Sequence, residues 1–146
     1  VNGHILGCAN LNHVQPPEYG SISWTIQAKP KQVLVIHTLC IRPECAGGGR
    51  GRRFVAFAEG LATGQGCRVI RLDTYEGNAP AAAFYPKLGY RLAGSAEFFF
   101  EGFARENLIC FEKELRGGAD RPAGNRRPGT AAPAMPSTAS ASAETP

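Results

Sequence analysis

No lysine in this chain is followed by serine or threonine, so the phosphate loop G-x-x-x-x-G-K-[ST] is absent. The dinucleotide fingerprint is absent as well. After Gly47 and Gly49 its third glycine would fall on Arg52, and after Gly49 and Gly51 on Phe54. Neither a secretory segment nor an apolar run long enough to span a bilayer is visible, so no membrane partner is expected. The five cysteines are odd in number and mostly set among apolar residues. That is the habit of buried free thiols rather than of a disulfide framework, and it points to a reducing, cytoplasmic compartment. His37, Cys40 and Cys45 do not read as a metal site, because residues 37 and 40 fall on opposite faces of a strand.

Residues 116–146 lack Leu, Ile, Val and every aromatic residue, yet hold five of the eleven prolines. Such a stretch cannot offset the entropy of ordering, so the expected organisation is one domain over 1–115 and a disordered tail over 116–146. The tail carries four arginines against Asp120 and Glu144, half of the net charge of +4. Net charge is therefore a weak argument for nucleic acid, and the arginines at 50, 52 and 53 have no interleaved aromatics on which bases could stack.

What the chain does have is a glycine loop, Ala46-Gly47-Gly48-Gly49-Arg50-Gly51-Arg52-Arg53, between two regular segments. Before it, residues 33–41 are rich in β-branched side chains and read as a strand. After it, apolar residues at 54, 55, 58, 61 and 62 mark one face of a helix. Glycine allows a ligand close to the backbone, and the first amides of a helix have no internal partner, so the loop reads as an anion cradle. Arg50, Arg52 and Arg53 oppose the helix dipole by roughly 0.3–1 kcal/mol each, a placement that an anion among them would offset.

The second motif runs from Arg71 to Tyr90: a strand, Asn78 as helix cap, an alanine-rich helix, then Phe84-Tyr85-Pro86-Lys87-Leu88-Gly89-Tyr90. Taken with the glycine loop it resembles the GCN5-related N-acetyltransferases, the GNAT family. The family's loop pattern Q/R-x-x-G-x-G/A, preceded by V-x-P, is followed by Ile41-Arg42-Pro43 and Ala46 through Gly51. Its second pattern, N-x-x-A-x-x-F-Y-x-K-L-G-F/Y, is matched from Asn78 to Tyr90 at every fixed position. The resemblance covers about residues 3 to 115.

The fold so expected is a mixed α/β sheet of order β-β-β-α-β-α-β-β. Its strands lie near 4–11, 22–28, 32–41, 69–75, 90–98 and 107–115, and its helices near 50–65 and 79–88. The chain opens in what corresponds to the family's second strand, so the first strand and helix pair are expected to be missing. The 4–11 segment would then be an exposed edge open to dimerisation.

The resemblance implies transfer of an acetyl group from acetyl-CoA to an amine by direct attack, an acyltransferase chemistry without metal. Gly47, Gly48, Gly49, Arg50, Gly51 and Arg52 would receive the CoA pyrophosphate. The backbone of Leu39, Cys40 and Ile41 would hold the pantetheine arm and the thioester carbonyl, and Asn78 would contact the arm while capping its helix. Tyr85 would be the acid for the leaving thiolate, whereas Glu76 and His37 are the candidates for a base. The rival implication is a GNAT-like module that binds CoA without turnover. Two departures stand out: Ala46 occupies the family's Gln or Arg position, leaving Arg50 or Arg52 to substitute. Pro86 follows Tyr85 and biases it away from helical geometry.

Overall fold

The computed structural model describes residues 4–100 and 104–116 of the 146. The expected tail over 116–146 lies, from residue 117, outside the described residues. Five strands form one mixed sheet: β1 (Gly7–Asn12), β2 (Val33–Ile41), β3 (Val69–Tyr75), β4 (Arg91–Phe100) and β5 (Ala104–Glu114). Their spatial order is β1-β2-β3-β5-β4, with β2 and β3 parallel and every other neighbour antiparallel. The parallel pair needs a crossover, which helix α1 (Arg50–Gly64) supplies. A shorter helix, α2 (Ala79–Phe84), follows β3.

The alternation of side chains along β2 and β3 builds a core on each face of the sheet. Leu34, Ile36, Ile70 and Leu72 pack on one face with Val55, Ala58 and Ala62 of α1 and with Tyr85, Tyr90 and Phe111. Val33, Val35 and Val69 pack on the other with Tyr19, Ile22, Phe98, Leu108 and Cys110. The central strands are thus covered on both sides, at about 1.5–3 kcal/mol for each fully buried aliphatic side chain.

One expected strand is absent. Residues 22–28 form no ladder, and β1 takes the place beside β2 that a hairpin partner would have held. Two buried charged side chains explain it. The Glu112 carboxylate, fully buried, accepts the amides of Thr25 and Ile26 at 2.8 and 3.3 Å, while Arg71 donates to the Ile26 carbonyl at 2.9 Å. The backbone of this segment is satisfied by side chains, so it lies across the sheet face, where the Arg71 guanidinium sits 4.3 Å from the Trp24 ring centroid.

The other expected elements are present with shifted ends, and the expected 79–88 helix divides at Pro86. Tyr85 keeps right-handed helical dihedrals, φ −64° and ψ −41°, so the proline does not displace it as the residue-before-proline rule suggested. Instead the missing amide ends α2, and a 3-10 turn over Pro86–Leu88 follows. The expectation of mostly buried thiols also fails: Cys67 and Cys110 are buried, Cys45 is half-buried, and Cys8 and Cys40 are exposed. The last two are register partners on the edge ladder between β1 and β2. Among the described residues no helix is long and apolar enough to cross a membrane.

Candidate active site

The parallel ladder between β2 and β3 covers only Val33–Ile36 against Val69–Leu72. Beyond Ile36 and Leu72 the two strands part. β3 continues against β5 as far as Tyr75, whereas β2 follows β1 through a bulge, where Thr38 and Leu39 oppose Ala9 alone. Thr38 has φ +53°, a left-handed conformation that costs a β-branched residue of order 1–3 kcal/mol. A bulge re-aims side chains and leaves one residue outside the ladder. Here it turns Leu39 and Ile41 into a cavity of about 590 Å³.

The rest of that cavity comes from the two sequence motifs. Ala46, Gly47, Gly49, Gly51 and Arg52 line it from the glycine loop and the start of α1; Asn78, Pro80, Ala81, Phe84 and Tyr85 line it from α2 and its cap. Gly47, Gly48 and Gly49 all have positive φ, +82°, +51° and +72°, so the loop bends in a way only glycine adopts readily. The helical ladder opens with the Arg53 amide bonded to the Gly49 carbonyl at 3.0 Å. The amides of Gly51 and Arg52 precede it, at the positive end of the α1 dipole. An added Cβ at Gly49 would meet nothing within 4 Å, but one at Gly51 would stand 3.3 Å from the Phe84 ring. Gly49 thus borders open cavity, and Gly51 lets α1 approach α2.

Asn78 caps α2: its Oδ1 accepts the Ala81 amide at 3.2 Å, and its Nδ2 donates to Thr74 Oγ1 at 3.3 Å. Tyr85 is buried, and its phenol is pushed above its ordinary range by burial first and then by the Asp73 carboxylate. It therefore stays protonated at neutral pH and keeps a proton to donate.

The remaining candidates lie elsewhere. Arg50 bonds the Cys45 carbonyl at 3.0 Å, so Arg52 is the guanidinium on the cavity. Gly48 does not line the cavity, and Cys40 faces a separate hollow with His4, Cys8 and Arg42. Glu76 is exposed in a shallow depression with Arg105 and Glu106, and its amide bonds the Asn107 carbonyl. His37 places Nε2 3.2 Å from both Asn12 Oδ1 and the Val14 carbonyl, tying β2 to the end of β1 and the segment that follows it.

Two residues escaped the sequence reading. Asp73 stands one position past the last β2–β3 pair, and its carboxylate accepts the Tyr19 hydroxyl at 2.7 Å. Burial raises its pKa, while the Tyr19 hydrogen bond and His37 act the other way. The available signal was an acidic residue at the carboxyl end of a central strand, where open α/β sheets bind ligands. Tyr19 carried no signal, being 54 residues away in a loop.

The strand, glycine loop, helix start and Asn-capped helix converge on one cavity. A family model described as Acetyltransferase (GNAT) family matches residues 1–90. The chain belongs to the GNAT acetyltransferase family. Its five-stranded mixed sheet matches the solved structures of that family in fold. Nourseothricin acetyltransferase superposes with a TM-score of 0.54 at 25% identity, over 58% of this chain and 51% of that one. A Bacillus subtilis acetyltransferase in complex with CoA gives 0.58 at 16% identity, over 79% and 72% of the two chains. The yncA protein of Salmonella typhimurium, with its cofactor acetyl-CoA, gives 0.60 at 16% identity, over 87% and 66%. This GNAT chain thus spans about half the length of the first of these. No curated protein sequence matches it. Among the described residues no group of three or more His, Cys, Asp or Glu could hold a metal ion.

Proposed function

We propose that this GNAT chain transfers an acetyl group from acetyl-CoA to a primary amine by direct attack. The observation that carries the reading is the single cavity on which the glycine helix start, the bulged end of β2 and the Tyr85 phenol meet. The amides of Gly51 and Arg52 and the Arg52 guanidinium suit a pyrophosphate. The bulged backbone beside Leu39 and Ile41 suits a pantetheine arm and a polarised thioester carbonyl. Tyr85 donates a hydrogen bond to the departing sulfur. A thiol near ~8.5 is a better acid than a tyrosine near ~10, so the phenol stabilises the thiolate and the final proton comes by way of solvent.

One observation favours a second reading, a module that binds CoA without turnover: neither Glu76 nor His37 lines the cavity. Calorimetric titration with acetyl-CoA, with Gly49→Asp as control, tests the shared part of both. Saturable binding that the control loses supports the site, and a folded chain without binding refutes it. Thiol release on adding amines then separates transfer from binding alone.

A further inference from the structure

Cys8 of β1 stands directly opposite Cys40 of β2 on an antiparallel ladder. Directly opposed residues of such a pair point to the same face, and both thiols are exposed and line one hollow of about 630 Å³ with His4, Ile5 and Pro43. The ladder sets their spacing. The Arg42 amide bonds the Leu6 carbonyl at 2.9 Å, and because paired residues alternate in kind along the strands, Cys8 and Cys40 form a second hydrogen-bonded pair. The Cα atoms of such a pair lie about 5.5 Å apart, inside the range of roughly 4.4–6.8 Å that a disulfide spans. Gly7 shows how closely the strands run here, since an added Cβ would collide with the Cys40 carbonyl oxygen. β1 is also the outermost strand of the sheet, so no neighbour on its far side resists a small shift toward β2. The other cysteines have no cysteine as a ladder partner: Cys110 pairs with Asp73 and Gly94, while Cys45 and Cys67 lie outside the strands.

We propose that Cys8 and Cys40 are a reversible thiol–disulfide site, oxidised by low-molecular-weight disulfides such as glutathione disulfide, whose closure weakens acetyl-CoA binding in the neighbouring cavity. The second half rests on the acetyltransferase reading. One of the two thiolates attacks glutathione disulfide, forming a mixed disulfide and releasing the first glutathione. The other attacks the protein sulfur of that bond and releases the second. One S–S bond breaks and one forms, the two cysteine protons end on the two glutathiones, and the two electrons lost by the protein reduce the glutathione disulfide. An exposed bridge across a hydrogen-bonded pair is readily reduced, which suits a transient, sensing bond in a reducing compartment.

The link to the cavity is one residue long. Cys40 stands between Leu39 and Ile41, both of which line the cavity of the glycine loop, and Ile41 borders the cysteine hollow as well. Beyond Ile36 the ladder of β2 with β3 has ended and β2 pairs with β1 alone, so this stretch is held from one side. Drawing Cys40 toward Cys8 therefore draws Leu39 and Ile41 with it, and the wall against which a pantetheine arm would lie is displaced.

The test oxidises the wild-type chain and Cys8→Ser with a small excess of glutathione disulfide at pH 8, then blocks remaining thiols with iodoacetamide. Peptides are mapped without reduction, with cleavage after Glu44 to separate Cys40 from Cys45. In the wild type we expect an intact mass lower by two hydrogens, no glutathionyl adduct at either residue, and one cross-linked peptide joining Cys8 to Cys40. Cys8→Ser should form no internal bridge. Calorimetry on the oxidised, desalted wild-type chain should give a Kd for acetyl-CoA about 10-fold higher than that of the reduced chain, restored by dithiothreitol. Separate glutathionyl adducts on Cys8 and Cys40, or a bridge that persists in Cys8→Ser, overturn the pairing. A Cys8–Cys40 bridge that leaves the affinity unchanged overturns the coupling to the cavity. A reduced chain that fails to bind acetyl-CoA overturns the acetyltransferase reading, and the peptide map still decides the pairing by itself.

Discussion

Glu112 Oε1 accepts the backbone amide of Thr25 at 2.8 Å across 87 residues of sequence, and this bond fixes a segment that lacks any ladder. The same carboxylate takes the Ile26 amide and pairs with Arg91. Replacing Glu112 by Ala strands two amides and should cost about 3 kcal/mol, read as a lower urea midpoint, whereas Gln keeps an acceptor there and should cost about 1 kcal/mol. Equal losses from both variants would mean that charge, not acceptance, holds the segment.

Gly49 takes φ +72° at the mouth of the cavity with open space around it. Gly49→Asp should therefore fold, losing of order 1 kcal/mol to left-handed strain, and should lose acetyl-CoA binding at least 100-fold because a carboxylate replaces the approach of an anion. Thermal melts and calorimetry on the same preparation separate the two effects.

Tyr85 packs against Phe84, Tyr90 and Phe111, and Phe keeps that ring packing. Tyr85→Phe should leave the melting temperature within a few degrees and lower kcat about 10-fold with little change in KM, since the lost donor acts on the leaving sulfur. A change confined to KM would move Tyr85 from the reacting end to the binding of the arm.

The cysteines should divide by exposure. Cys110 is pushed up to about 12 by burial first and then by the Asp73 carboxylate, and burial raises the Cys67 thiol as well. A thiol-disulfide reagent at pH 8 should thus label Cys8 and Cys40 within minutes and leave Cys67 and Cys110 intact until denaturant is added. Mass spectrometry of time-resolved digests gives the order.

Asp73 has its pKa raised in the folded chain relative to the unfolded one. The folded state therefore holds that proton more tightly. The stability contributed by this group is fully present below the unfolded pKa and is lost as pH rises through the folded one. Asp73→Asn retains an acceptor for Tyr19 and has no proton to lose, so its melting temperature relative to wild type should climb between pH 4 and pH 8. A relative fall across that window would reverse the sign argued here.

The two motifs, Ala46 through Arg53 and Asn78 through Tyr90, were legible in the sequence because they are local. Positive-φ glycines, a helix start and an Asn cap are fixed by residues within a few positions of one another, and β2 and β3 declared themselves by their β-branched runs. The edge placement of the first strand was legible too, though its partner was not. Residues 22–28 have the alternating apolar pattern of a strand. Only the tertiary structure decided against one, because the groups that satisfy their backbone, Glu112 and Arg71, come from distant strands. The same holds for the site. The sequence by itself determined which elements carry the cavity and that a helix amide end meets it. Where β2 leaves β3, how the Thr38 bulge turns Leu39 inward, and that Asp73 meets Tyr19 at the resulting gap depend on packing across the sheet. Contacts between residues far apart in the chain leave no periodic mark on it.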